Sequence, residues 1–226
     1  FEKDLSDYPF LKDSHVSEAT YYRLFISEYL PNSLEHIIYL DSDVFCINNP
    51  QFMISYTVKN LLDSQHTISV ATEMYKNSSD SDIFTKLQLK NERYFNAGVM
   101  IIDYQKWQKS VKILELVQLL ENNSKKINNW DQDLLNIYFE GNFQELNNHL
   151  NFKVYLSENN FKYTFNKKEE ESILLHYSGK FKPWSLKGAL NGNSKFYHSY
   201  YKKLYEDDYH IYNARRLNTF KDLMKN

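Results

Sequence analysis

Hydrophobic positions along the chain fall into two rhythms. From Ser17, apolar residues recur at Tyr22, Phe25, Ile26 and Tyr29 and stop before Pro31, the spacing of an amphipathic helix with Ser17 as its N-cap. Residues 37–40 then form a short continuous apolar run, as do 68–71, 98–102 and 173–175. A run without polar alternation predicts a strand buried on both faces, as in a parallel sheet covered by helices. Between the runs, Trp107, Val111, Ile113, Leu116, Val117 and Leu120 predict a helix from 104 to about 121, and 130–139 reads as another. Strands alternating with helices predict an α/β layered domain with a mostly parallel central sheet. The polar stretch 75–93, headed by Asn77-Ser78-Ser79-Asp80-Ser81-Asp82, predicts a surface excursion or mobile loop. From Ser194, Phe196, Tyr197, Tyr200, Tyr201, Leu204 and Tyr205 interleave with Lys202 and Lys203, and Tyr209, Ile211 and Tyr212 lead to Arg215 and Arg216. These predict one or two amphipathic C-terminal helices, and we divide the chain into a domain over 1–192 and a helical appendage over 193–226. An aromatic stripe at helical spacing is more often core than a membrane-docking face, and both readings are carried forward.

Composition narrows the classes. The chain has 226 residues with 42% apolar and 25% charged, enough to build a sizeable core. Lys and Arg total 27 against 29 Asp and Glu, so no global positive field recruits nucleic acid. The single cysteine, Cys46, leaves no intramolecular disulfide, which makes the cytoplasm the default compartment. No apolar run approaches the roughly 18 residues of a membrane span.

The candidate chemistry begins at Asp41-Ser42-Asp43, directly after the first run. On an extended chain the side chains alternate, so Asp41 and Asp43 would share one face and Ser42 the other. Two carboxylates on one face repel unless a cation lies beside them, and a hard divalent metal is the usual answer. The carboxyl ends of strands are also where open α/β sheets gather ligands. Two chemistries use Asp-x-Asp in this place. In a haloacid dehalogenase-like phosphatase the first Asp is the nucleophile; in a nucleotide-sugar transferase the pair grips a metal-bound diphosphate. The phosphatase expects a downstream acidic segment beginning Gly-Asp, and none of the five glycines is followed by Asp. It becomes the alternative.

Three further segments favour the transferase: Tyr94-Phe95-Asn96-Ala97-Gly98 before an apolar run, Trp130-Asp131-Gln132-Asp133 opening a helix, and His176-Tyr177-Ser178-Gly179 leading to Lys182-Pro183-Trp184. Taken in order with Asp41-Ser42-Asp43, they resemble glycosyltransferase family 8, which includes bacterial lipopolysaccharide galactosyltransferases and glycogenin. The resemblance spans 17–184 and implies a Rossmann-like fold of the glycosyltransferase A (GT-A) type. It implies a Mn²⁺ site at Asp41, Asp43 and His176, with Mg²⁺ as the alternative ion. It implies that Lys182 meets the donor diphosphate, with Lys180 as the nearby competitor, and that the Gly179 backbone and Ser42 lie close to it. Asn96, Ala97 and Gly98, with Asp131 and Gln132, map to the sugar pocket, and Arg23 in Tyr21-Tyr22-Arg23-Leu24 matches an arginine near the donor sugar. Gln132 and Asp131 are the candidate catalytic pair, although an Asp at a helix start also serves as a simple N-cap. Trp184 is structural or touches the acceptor.

The resemblance further implies a base-binding strand and βα units ahead of the first helix, about 60 residues at the usual length of such units, which this sequence does not contain. The expected activity is retaining transfer of glucose or galactose from a UDP-sugar to a glycan or protein-linked hydroxyl. A non-catalytic scaffold is the second alternative. The C-terminal segment is the candidate for peripheral membrane contact.

Overall fold

A computed structural model of the chain describes residues 18–78, 82–157, 161–162 and 164–206. A 3-10 segment, Glu18–Phe25, leads into α1 (Ile26–Tyr29), β1 (His36–Leu40), β2 (Val44–Cys46), α2 (Gln51–Leu62) and β3 (Ile68–Tyr75). Next come α3 (Asp82–Leu87), β4 (Arg93–Asp103), α4 (Tyr104–Ser110), α5 (Ile113–Asn123), α6 (Trp130–Phe139) and β5 (Gln144–Glu145). The chain finishes with β6 (Phe152–Tyr155), α7 (Lys167–Glu170), β7 (Leu174–Ser178), α8 (Leu186–Ala189) and α9 (Lys195–Tyr205). The described residues pack as two compact units, one within 18–39 and 55–146, the other within 40–54 and 147–206.

The first unit is built on a four-stranded sheet in the order β1-β4-β3-β5. β3 runs antiparallel to β4, with Ile68 opposite Ile102 and Val70 opposite Met100, and parallel to β5. The sheet is therefore mixed where a mostly parallel one was expected. A parallel neighbour needs a covering crossover helix. Among its described residues the 76–92 connection instead carries α3 alone, whose Phe84 and Leu87 pack with Leu89 and Tyr94 in a small cluster of their own. That cluster also gives part of the predicted loop an ordered helix. β4 is buried from Tyr94 to Asp103, as its apolar run predicts. β1 is not: Ile38 and Leu40 are 38% and 44% exposed, because β1 stands at the end of the strand order. The helix expected over 104–121 breaks into α4 and α5 at Val111 and Lys112, which are both extended. Ser110 Oγ donates back to the Lys106 carbonyl, a local bond that competes with helix continuation. Tyr21, Phe25, Val70, Phe95, Trp107, Leu120 and Leu134 anchor the core, each large side chain contributing roughly 1.5–3 kcal/mol on burial.

The second unit holds a three-stranded sheet, β2-β7-β6. β2 is antiparallel to β7 with Val44 opposite His176, and β6 is parallel to it with Lys153 opposite His176. Val154, Leu156, Leu175 and Tyr177 form its core with Phe45, Phe165, Phe196 and Tyr197 against them. The aromatic stripe of α9 thus starts as core: Phe45 meets Tyr197 and Tyr200 edge-on at 5.9 and 5.3 Å, and Trp184 lies 5.5 Å from Tyr197. Farther along, Leu204 and Tyr205 are exposed. Ser17, Tyr209, Ile211, Tyr212, Arg215 and Arg216 lie outside the described residues. No described helix is long and apolar enough to cross a membrane.

Candidate functional site

Each unit gathers one set of the candidate residues. In the second unit, Asp41, Asp43 and His176 bring their ligand atoms within 4.8 Å of one another. The convergence has a different origin from the extended alternation expected. The Val44 N–H donates to the Asp41 carbonyl at 3.0 Å, closing a turn that leaves Ser42 exposed. The β2–β7 register then seats Asp43 beside β7, where its carbonyl accepts from the Tyr177 N–H at 3.1 Å.

The imidazole is set by Asn151, just before β6. His176 Nδ1 lies 2.9 Å from Asn151 Oδ1. A carboxamide oxygen only accepts, so Nδ1 carries the proton and a neutral ring turns its Nε2 lone pair toward the aspartates. Nε2 stands 3.4 Å from Asp43 Oδ1, an atom that is buried and accepts no hydrogen bond. With the ring neutral, two acceptors face each other out of water, which calls for a cation between or beside them: a bound metal or, in its absence, the proton of an imidazolium. Two carboxylates and an imidazole fit a divalent first-row ion such as Mn²⁺ better than Ca²⁺.

Lys182 reaches the same carboxylate from the segment after β7. Its Nζ donates to Asp43 Oδ2 at 2.5 Å and to the Tyr177 carbonyl at 2.7 Å. Without a metal, burial pushes the Asp43 carboxyl up, but hydrogen bonds and charge from a protonated His176 and from Lys182 outweigh it and hold it down at about 2. Lys180 instead places its ammonium 5.5 Å from the Phe181 ring centroid. Gly179 sits at φ +86, a left-handed turn that favours glycine. Gly188 is demanded by space: a Cβ there would lie 1.9 Å from the Lys182 carbonyl oxygen. Ser185, which caps α8 by accepting from the Gly188 N–H, donates to that same carbonyl at 2.7 Å.

In the first unit the 3-10 segment, β4 and the start of α6 share one polar network. Arg23 Nε pairs with Asp131 Oδ2 at 2.7 Å, both side chains buried, and Arg23 Nη1 donates to the Ala97 carbonyl. Thr20 Oγ1 donates to the other Asp131 oxygen. Burial, then the charges of Asp131 and Asp133, push the Tyr21 phenol up to about 12. Gln132 accepts from the Ala97 N–H at 3.0 Å and from Asn96 Nδ2 at 3.2 Å, and donates to Glu73 at 3.0 Å and to the Tyr94 hydroxyl at 3.1 Å. Asn96 Oδ1 accepts from the Gly98 N–H. Asn136 clamps α6 onto β4 by bonding both the N–H and the carbonyl of Phe95. Asp133 accepts from Tyr94 and from the Asn128 and Asn129 N–H groups, fixing the turn into α6. At that entry Trp130 takes φ +44, a strained backbone for a residue with a side chain.

The Glycosyl transferase family 8 pattern matches residues 2–188. The chain belongs to glycosyltransferase family 8. It is 28% identical over 172 residues to an Escherichia coli lipopolysaccharide 1,2-glucosyltransferase, covering 74% of the chain and 49% of that protein. It is 25% identical over 177 residues to a lipopolysaccharide 1,3-galactosyltransferase of Salmonella typhimurium, covering 76% of the chain and 50% of that protein. The chain thus spans about half the length of these curated relatives. Its fold is of the GT-A type, similar to the crystal structure of the galactosyltransferase LgtC in complex with donor and acceptor sugar analogs. The TM-score is 0.65 at 23% identity, over 85% of this chain and 69% of that one.

Within this family 8 chain, Asp41, Asp43, His176 and Lys182 stand together in the second unit, with Gly179 on the same connection. Arg23, Asn96, Ala97, Gly98, Asp131 and Gln132 stand together in the first. Asp131 is held by Arg23 and Thr20 and does not cap α6, whose N-cap position is Asn129. Sequence reasoning missed Asn151, Glu73, Tyr94, Asp133, Asn136 and Gly188. Tyr94 and Asp133 lay inside segments already singled out, and Glu73 lies just past an apolar run as Asp41 does; Asn151 and Gly188 carried no signal.

Proposed function

We propose that the chain is the catalytic part of a retaining hexosyltransferase that moves glucose or galactose from a UDP-sugar to a glycan or other hydroxyl acceptor, with Mn²⁺ as its cation. The observation that carries this reading is the buried Asp43 Oδ1 facing the His176 lone pair, with Asp41 in the same cluster and Lys182 on the other Asp43 oxygen. Such a site leaves Asp43 Oδ1 unmet unless a metal or a proton lies between it and His176, and it suits an anionic leaving group beside it. Asp41, Asp43 and His176 would hold the metal, which when bound supplies positive charge where the diphosphate leaves. Lys182 supplies the ammonium that the chain itself offers to that diphosphate, and Asn151 keeps His176 in its ligating tautomer.

The Gln132 network is assigned to the hexose, with Arg23, Asn96, Ala97 and Gly98. The oxygen of Gln132 already accepts two hydrogen bonds, which makes a poor nucleophile poorer. This supports stabilisation of an oxocarbenium-like state with front-face attack over a covalent intermediate. The bonds on Asp131 support a role in holding Arg23. A glycosyl adduct trapped on Gln132 or Asp131 would overturn this part of the reading. A cytoplasmic location with weak membrane contact through the C-terminal segment belongs to the same proposal.

The test is hydrolysis and transfer of UDP-glucose and UDP-galactose with Mn²⁺, using wild type, Asp41→Asn and Asp43→Asn. Turnover lost in folded variants supports the metal assignment, and normal turnover in them refutes it. Wild-type protein that binds no UDP-sugar and turns none over refutes the transferase in favour of a scaffold, and phosphate release from a phosphomonoester favours the phosphatase.

A further inference from the structure

β3 is irregular where it approaches the Gln132 network. Thr72 lies opposite Phe95 and Met74 opposite Tyr94, so Glu73 is the extra residue of a bulge. A bulge breaks the alternation of side chains and re-aims the residue it frees. Here Glu73 Oε2 comes within 3.0 Å of Gln132 Nε2 and 3.4 Å of Asn96 Nδ2.

The two ends of the Gln132 amide then have fixed identities. The Ala97 backbone N–H can only donate, so the atom facing it is oxygen. A Glu73 carboxylate can only accept, so the atom facing it is nitrogen. Rotating the amide by half a turn would set oxygen against oxygen at Glu73 and N–H against N–H at Ala97. The Tyr94 hydroxyl gives its proton to Asp133 and so accepts from the nitrogen end of the amide, while Asn96 Nδ2 donates to the oxygen end. Backbone, Asn96, Tyr94 and carboxylate thus select one orientation together, and Glu73 is the member whose bond to the amide is charge-assisted.

We propose that Glu73 is a positioning residue for Gln132: from its bulge it locks the Gln132 amide, and with it Asn96, in the single orientation offered to the hexose of the donor. This rests on the reading of Gln132 as the group beside the reacting sugar carbon. Glu73 acts through Gln132 and not by touching the donor.

The experiment compares wild type, Glu73→Gln, Gln132→Glu and the double exchange in UDP-hexose turnover and in thermal unfolding at neutral pH. Glu73→Gln is nearly isosteric but presents either an oxygen or an NH₂ group, so the flipped amide is no longer opposed at this position and the charge-assisted bond is lost. We expect kcat to fall about tenfold with KM within about twofold, the signature of lost transition-state alignment without lost binding. Gln132→Glu sets two carboxylates against each other and lowers Tm. Adding Glu73→Gln to it restores a carboxamide–carboxylate pair and recovers most of that loss. Wild-type kcat in Glu73→Gln overturns the proposal, as does a loss confined to KM, which would mean contact with the donor. Failure of the double exchange to recover Tm also overturns it. Inactive wild type would sink the transferase reading and this inference with it, whereas active wild type with an indifferent Glu73→Gln sinks this inference alone.

Discussion

Replacing Arg23 by leucine removes one half of an ion pair whose side chains are only 8% and 5% exposed. Asp131 is then left as a buried charge with the Thr20 hydroxyl as its remaining named donor. Breaking such a pair on one side costs about 3–5 kcal/mol, far above the 0–1 kcal/mol of an exposed pair. Arg23→Leu belongs at the upper end, because it also removes the bond to the Ala97 carbonyl and the guanidinium 4.1 Å above the Tyr39 ring. Asp131→Asn belongs at the lower end, since the guanidinium keeps both of those contacts. For a chain of this length each kcal/mol shifts Tm by about 2–4 °C, so the pair spans a loss of about 6–20 °C in calorimetry. Arg23→Leu with Asp131→Leu should recover to within about 1–2 kcal/mol of wild type, because the desolvation penalty disappears with the charges. A spectroscopic reading accompanies the calorimetry. The Tyr21 phenol, pushed up to about 12 by burial and by the charges of Asp131 and Asp133, should titrate lower in Asp131→Asn. Single replacements that each cost less than about 1 kcal/mol would refute the buried-pair argument.

Asn151→Ala should weaken Mn²⁺ binding by about 10–100-fold, measured from the free-ion resonance, because the imidazole loses the partner that fixes its tautomer; unchanged affinity removes Asn151 from the site. Lys182→Ala should weaken UDP binding in calorimetric titration while Lys180→Ala does little, and equal losses would contradict the placement of Lys180 over Phe181. Metal-free wild type and Asp43→Asn should diverge in urea stability between pH 2 and 5. The folded Asp43 value of about 2 lies below the ordinary 3.8, so its stabilisation, about 2 kcal/mol, is complete above about pH 4 and disappears as pH falls toward 2. A wild-type difference that persists unchanged at pH 2 would show that Asp43 is not the group responsible.

The candidate ligands were legible because their chemistry is written in short segments: Asp41-Ser42-Asp43 and His176-Tyr177-Ser178-Gly179 each follow an apolar run. Their geometry was not, because the pairing of Val44 with His176 depends on residues far along the chain. The same limit explains Asp131. An Asp at a helix start reads locally as a cap, and only the fold brings Arg23 to it. Ile38 and Leu40 show the converse: their pattern is that of a central strand, but burial depends on how many neighbours the strand acquires, and β1 has one in the sheet order. Glu73 was beyond reach for a sharper reason. A bulge is a property of two strands in register, and neither strand alone encodes it.

The pairing of Val44 with His176 joins positions about 130 residues apart, so β2 leaves the ribosome long before β7 exists. At about 5–20 residues per second, the wait is on the order of ten seconds. Throughout it the two aspartates sit on an unfinished chain with neither imidazole nor Lys182, and Asp43 has not met the Tyr177 N–H that seats it. Closing so long a loop is entropically slow and comes late, as in any topology of high contact order. A cation that needs all three ligands therefore discriminates by age: it passes over nascent and half-folded chains, and contributes its binding free energy only to molecules in which the last strands have already closed.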